Sequence, residues 1–182
     1  AKSPTLPWYA RVLADIGDEQ SLQQNLSTFS GHVRRIGRIL EALADSNGDA
    51  LVLLDEIGAG TDPAEGSALA MALLRTFAHR SRLTIATTHF GELKALKYTD
   101  PRFENASVEF DSETISPTYK LQWGIPGRSN ALAIATRLGL APEVIALAKE
   151  LLGPIEETQV NEVIMGLEEQ RKRQQSAAED AA

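Results

Sequence analysis

The 182 residues contain no cysteine, so they hold neither a disulfide framework nor a thiolate metal site. Histidine is nearly as scarce: His32, His79 and His89 lie far apart and show no metal-ligand spacing. No apolar run is long enough to read as a membrane span, and the start Ala1-Lys2-Ser3-Pro4 does not read as a signal peptide. Basic residues are the minority. Eighteen Lys and Arg against 25 Asp and Glu give a net charge of -7, which argues against a general nucleic-acid-binding surface. Arg34, Arg35 and Arg38 form one small basic group that reads as a solvated helix face. Aromatics make up 5%, and Trp8 and Trp123 read as packing or edge residues rather than base-stacking platforms. There is no internal repeat. What is present is 43% apolar residues in a length that suits one domain plus a short extension.

The pattern begins as loop, with Pro4 and Pro7 as punctuation. Arg11–Ile16 reads as a short strand and Gly17–Gln20 as a polar turn. A helix is expected over 28–46, where Phe29, Val33, Ile36, Leu40 and Leu43 recur at helical spacing and Asn47-Gly48 stops it. Ala50–Leu54 is uninterrupted apolar strand, as in a parallel sheet covered on both faces. Helix 63–78, strand 83–88 and a short helix near 91–96 follow, giving an α/β layered core. Phe103–Phe110 and Thr118–Trp123 then alternate as a hairpin around Asp111-Ser112-Glu113. Gly124–Arg128 reads as a tight loop. Ser129 or Asn130 caps a helix running to Leu138, stopped by Gly139, and a last helix begins near Pro142. Val144, Leu147 and Leu151 form a stripe continued by Val160, Val163, Ile164 and Leu167, with a break at Gly153-Pro154. Past residue 168 no apolar face remains, which fits a frayed tail or the root of a coiled coil. The expected division is 1–123 core, 124–152 helical extension and 153–182 the start of a coiled coil or disordered tail.

Two adjacent carboxylates, Asp55 and Glu56, end the apolar strand, and a Gly-rich turn and helix start follow them. An apolar strand feeding an acidic pair suits the holding of Mg²⁺ and the activation of water against a nucleoside triphosphate. One carboxylate cannot both neutralise phosphate through a metal and accept a proton, so two are needed. A strand that simply leaves the core for solvent gives the same local pattern. His89, at a strand end after Thr87 and Thr88, reads either as a site residue or as a histidine bonded to a nearby carbonyl. Ser27 reads as a helix N-cap. Asp62-Pro63-Ala64-Glu65 is a helix start with Asp62 as N-cap, Pro63 at the first position and Glu65 at the capping-box position. His79-Arg80 suits a helix carbonyl end.

Five segments, in order, carry a family resemblance. They are Ala14-Asp15-Ile16-Gly17-Asp18-Glu19-Gln20-Ser21, Leu26-Ser27-Thr28-Phe29-Ser30-Gly31-His32, Leu53–Pro63, Thr87-Thr88-His89 and Gly124–Ala131. Together they resemble the ATPase domain of the MutS family of ABC-type ATPases, in the second bacterial branch, which lacks the mismatch-recognition module. The fold implied is α/β, part of an ABC-type P-loop ATPase core with a mostly parallel sheet, plus a C-terminal helical extension. One element of the family pattern is missing: no Gly-x-x-x-x-Gly-Lys-Ser/Thr run occurs in the chain. The implied reading is a C-terminal fragment of the domain, inactive alone for want of that phosphate-binding loop.

The resemblance assigns roles. Asp55 would hold the Mg²⁺-bound water and Glu56 would be the general base. His89 would sense the γ-phosphate. Ser27 and Thr28 would face the γ-phosphate bound by the other subunit, at a helix N-terminus. Gly60, Thr61 and Asp62 would form a loop crossing the dimer interface. Arg128, Ser129, Asn130, Leu147 and Leu151 would lie in the dimer contact. ATP and Mg²⁺ are the implied cofactors of the intact parent, with none held tightly by this fragment and no other metal. A homodimer is implied, engaging DNA (branched or recombination intermediates) or the ribosome through other domains, in the bacterial cytoplasm and without a membrane. A nuclease module often accompanies this branch. Two rivals stand beside the ATPase reading: a non-catalytic structural or dimerisation fragment, and an ABC-type ATPase of another subfamily. Leu26-Ser27-Thr28-Phe29 disfavours the transporter type of the latter.

Overall fold

Ala50–Leu54 is the middle strand, β2, of a three-stranded parallel sheet, flanked by β1 (Arg11–Asp15) and β3 (Leu83–Ala86). The computed structural model describes residues 3, 5–16, 25–44, 47–111, 116–127 and 130–152, the side chains of 25–28 and 117 excepted. The expected turn at Gly17–Gln20, most of the turn after Asp111, Arg128, Ser129 and everything past 152 lie outside these residues. Helix α1 (Asn25–Ala44) connects β1 to β2, and α2 (Pro63–Arg80) connects β2 to β3. A 3₁₀ turn at Gly91–Ala95 runs into α3 (Leu96–Thr99). The chain divides into two compact units between Arg102 and Phe103.

Sheet order in the first unit follows chain order, β1-β2-β3. Parallel crossovers are right-handed, so two successive ones stepping the same way place both helices on one face. That face carries Asp15, Ala50, Val52 and Leu54, all buried, and it packs with Ile36, Ile39 and Leu43 of α1 and Ala70 and Phe77 of α2. The opposite face is apolar too. In register it holds Val12, Leu51 and Leu83, then Ala14, Leu53 and Ile85. Val12, Leu83 and Ile85 are 61%, 42% and 53% exposed. The sequence expectation for β2, cover on both faces, is therefore met on one face among the described residues. An apolar run reports two faces that avoid water; two helices on one side cover only one of them.

Helix α1 begins at Asn25, not near Thr28, so Ser27 lies inside the first turn rather than capping it. Backbone hydrogen bonding sets where a helix starts, whereas the apolar period marks only its packed part. The stripe itself also differs from expectation. Val33 is exposed, and Ile39 joins Ile36 and Leu43 in the core. One turn toward the N-terminus, the same helix side carries His32 and Arg35. Both reach Asp15, which is only 2% exposed: His32 Nδ1 lies 2.7 Å from Asp15 Oδ2, and Arg35 Nε donates to Asp15 Oδ1. Arg35 is thus a partner of a buried carboxylate, not one more solvated arginine. Arg34 and Arg38 do remain exposed. Near the end of this unit, the Arg102 side chain holds the Asp100 carboxyl down at about 2.

In the second unit, β4 (Ala106–Asp111) and β5 (Ser116–Trp123) form the expected antiparallel hairpin, with a register shift between Val108 and Phe110. Helix α4 (Ala131–Arg137) follows, with Asn130 at the N-cap position and Gly139 in the left-handed region (φ 86°) after its end. A further helix, α5, covers residues 142–152. Ile145 is its buried residue, while Leu147 and Leu151 are 55% and 78% exposed.

Removing one of two charged hydrogen bonds to a buried carboxylate costs about 1.5–3 kcal/mol. Asp15→Asn should therefore lower the unfolding free energy by about that amount in a urea titration, while Arg34→Ala stays within about 0.5 kcal/mol. Equal effects for the two variants would remove the Asp15 contact from the account of how α1 is held.

Candidate active site

The sheet's register aligns Asp15 of β1, Leu54 of β2 and Ala86 of β3. The two expected carboxylates come directly after Leu54. The amide of Asp55 donates to the Asp15 carbonyl at 2.9 Å, extending the ladder by one residue. Glu56 then adopts the left-handed region, with φ 48°. For a residue with a side chain that conformation costs on the order of 1–3 kcal/mol and persists only where neighbours hold it. Thr87 is the neighbour. Its amide donates to the Leu54 carbonyl at 2.9 Å, and its carbonyl accepts from the Ile57 amide at 3.1 Å. Its hydroxyl accepts from the Glu56 amide at 2.9 Å and donates to Asp55 Oδ1. Asp55 is half-buried, and Glu56 is exposed.

After the acidic pair the chain turns through Gly58 (φ 85°) and Gly60 (φ 87°) to the start of α2. Gly58 and Gly66 cross closely. A methyl on Gly66 would stand 2.4 Å from the Gly58 carbonyl oxygen, and one on Gly58 would stand 2.5 Å from that of Gly66. No side chain fits there. A methyl on Gly60 would come 3.4 Å from Phe29 Cβ, so this loop lies against the beginning of α1. Asp62 caps α2 as expected: its Oδ1 accepts from the amides of Ala64 at 3.0 Å and Glu65 at 3.2 Å, with Pro63 in the first turn. Thr61 sits beside the crossing, its Cγ2 3.3 Å from the methyl that Gly66 lacks.

His89 is exposed, two residues past Thr87. The ring of buried Phe90 follows it, 4.5 Å from the His89 ring by centroids. The same Phe90 ring walls the glycine crossing, 2.9 Å from the methyl position of Gly58. Strand ends, backbone bonds and one aromatic ring therefore gather Asp55, Glu56, Gly60, Thr61, Asp62 and His89 around one loop system. The first turn of α1, with Ser27 and Thr28, lies one residue from Phe29; their side chains are outside the described residues. Asn130, Leu147 and Leu151 belong to the second unit. Asn130 makes no capping bond through its side chain, although its carbonyl accepts from the Ile134 amide at 2.9 Å.

Gly66 and Phe90 were not singled out from sequence, and no role was read there for Thr87 or for the Asp15–His32–Arg35 cluster beyond membership of motif segments and a basic group. An aspartate inside an otherwise apolar strand was the available signal for that cluster, since a buried carboxylate needs donors. Nothing local marks Gly66 or Thr87, because their partners are eight and about thirty residues away. As for metal, no cluster of three or more His, Cys, Asp or Glu able to hold an ion occurs among the described residues. One or two carboxylates suit Mg²⁺, which keeps several waters and takes the rest of its shell from substrate phosphates.

The family model described as MutS domain V matches residues 1–156. Endonuclease MutS2 of Synechocystis sp. is 61% identical over 191 residues, covering 97% of this chain and 23% of that protein. Endonuclease MutS2 of Symbiobacterium thermophilum is 54% identical over 159 residues, covering 87% and 20%. That of Halothermothrix orenii is 54% identical over 162 residues, covering 89% and 20%. The chain thus spans less than a quarter of the length of these relatives.

Overpacking at a backbone crossing typically costs about 1–3 kcal/mol. Gly66→Ala should destabilise by at least that amount, and Gly37→Ala, in open space on α1, should instead stabilise by up to about 1 kcal/mol. Urea unfolding of the two variants checks this; a neutral Gly66→Ala would mean the loop relaxes freely.

Proposed function

The chain belongs to the MutS family, through its domain V, and we propose that it forms the distal part of a dimeric, Mg²⁺-dependent ATPase. The observation that carries the reading is the acidic turn Asp55-Glu56, bound to the end of β3 two residues before His89. Bound Mg²⁺ would neutralise phosphate charge. Asp55 would hold it through water. Glu56 would orient and deprotonate the attacking water, and His89 would face the γ-phosphate. The first turn of α1, with Ser27 and Thr28, would present its free amides to the phosphate bound by the other subunit, where the helix dipole favours an anion. Gly60, Thr61 and Asp62 would lie near that subunit.

These 182 residues hold no Gly-x-x-x-x-Gly-Lys-Ser/Thr loop. By themselves they lack the amide nest and the lysine that anchor β- and γ-phosphates, and we assign them no turnover alone. In the intact protein the ATP cycle would act on DNA intermediates or on ribosomes. The relatives are named endonucleases; in this reading that activity belongs to another segment. No helix among the described residues is long and apolar enough to cross a membrane.

The second reading, a dimerisation element, is favoured by the exposed Leu147 and Leu151 one turn apart on α5. An apolar pair of this kind gains by meeting a partner, and in this reading the partner is a second copy.

Two outcomes follow. In the full-length protein Glu56→Gln should keep ATP binding and lose single-turnover hydrolysis by at least about a hundredfold, the usual contribution of a general base. Unchanged hydrolysis would place the base elsewhere, and phosphate release by the 182-residue chain that Glu56→Gln abolishes would overturn its assigned inactivity. In sedimentation equilibrium at micromolar concentration the chain should self-associate, and Leu147→Glu should shift it toward monomer. A monomer throughout, with the substitution silent, excludes this interface.

A further inference from the structure

Thr87 makes four hydrogen bonds to four consecutive residues of another strand end. Its main chain binds the Leu54 carbonyl and the Ile57 amide. Its hydroxyl binds the Glu56 amide and the Asp55 carboxylate. The main-chain pair would be made by any residue continuing β3. The hydroxyl pair needs a side chain that accepts and donates at one atom, which restricts the position to Thr or Ser. Valine has the same shape and the same preference for strands, but neither function. Thr87 is also exposed, so burial gives no reason for its hydroxyl.

We propose that Thr87 is a positioning residue for the acidic pair, fixing the rotation of Asp55 and holding Glu56 in its left-handed backbone. The proposal rests on the ATPase reading above. The donor and acceptor roles of the hydroxyl are mutually dependent. Because Oγ1 accepts from the Glu56 amide, its single proton is directed at Asp55 Oδ1. One oxygen thus links the orientation of the metal-side carboxylate to the backbone of the proton-accepting one. The bond also joins β3 to β2 at the point where the chain goes on to His89. A displacement at His89 reaches the acidic pair through two peptide units and one hydroxyl. The main-chain bonds between the two strand ends are indifferent to side-chain identity; this link depends on it.

The test compares Thr87→Val, which keeps shape, with Thr87→Ser, which keeps the hydroxyl. In the 182-residue chain, amide exchange at Glu56 should speed up about tenfold or more in the Val variant and stay within about threefold in the Ser variant, since an opened exposed hydrogen bond loses its local protection. In the full-length protein, Thr87→Val should lower kcat about ten- to a hundredfold, as small misplacements of reacting groups do. It should also raise the Mg²⁺ concentration for half-maximal rate several-fold on the order expected for a misdirected ligand, with KM for ATP changed little. Thr87→Ser should recover most of both. Wild-type kcat and Mg²⁺ dependence in Thr87→Val, or a Ser variant as impaired as the Val variant, overturns the proposal. A Val variant that fails to fold shows a structural role and overturns it too. Glu56→Gln, run in parallel, separates the two levels. If it abolishes turnover while Thr87→Val does not, only the role of Thr87 falls; if it leaves turnover intact, the ATPase reading falls and this inference with it.

Discussion

The register of three parallel strands is the constraint on which the rest depends. Asp15, Leu54 and Ala86 stand side by side at the carboxyl ends of β1, β2 and β3. Open parallel sheets place their sites beyond such ends, because each strand there releases a loop into the same region. Here Asp55 and Glu56 come directly after one end, and Thr87 and His89 come just after the next. A slip of one residue would turn the buried face of β2 outward and separate the acidic pair from Thr87. The identity of the site is therefore tied to the packing of Ala50, Val52 and Leu54 against two helices. Sheet stability and site geometry are one problem in this unit.

Around that register the structure uses small residues where chains must touch and charge where a helix must be placed. Gly58 and Gly66 let two backbone segments meet, and Phe90 packs on the crossing, so the loop after the acidic pair is closed without any bulky contact of its own. Asp15 fixes α1 by a different means. A carboxylate inside the sheet–helix layer needs donors, and His32 and Arg35 supply them from one face of that helix. This ties the helix whose first turn holds Ser27 and Thr28 to the strand next to the acidic pair. The other sheet face, with Val12, Leu83 and Ile85 open to solvent, contributes nothing to this arrangement within the described residues.

Much of the architecture was legible in the chain. The strands β1, β2 and β3, the two long helices, the hairpin and the last two helices were each signalled by period, turn chemistry or capping residues. The cap at Asp62 could be read residue by residue because all its partners lie within three positions. Apart from the start of α1, the errors came at longer range. Val33 obeyed the helical period yet faces solvent, and Arg35 looked like its exposed neighbours yet meets Asp15. Period says that a helix has an apolar side; only the angle at which it sits on the sheet says which residues at the margin of that side are covered.

By itself, the sequence determined the order of elements, the acidic pair at a strand end, the helix cap after it and the family to which the ordered motifs belong. These are local or linear properties, settled by residue type and spacing. The tertiary structure alone decided that Thr87 grips both carboxylate-bearing residues, that Gly58 crosses Gly66, that Asp15 holds α1 and that one sheet face is left open among the described residues. Each is a meeting of residues from 8 to 32 positions apart, or a face that the described residues leave uncovered. No period in the chain encodes such meetings, because they follow from how strands pair and which side the crossover helices take.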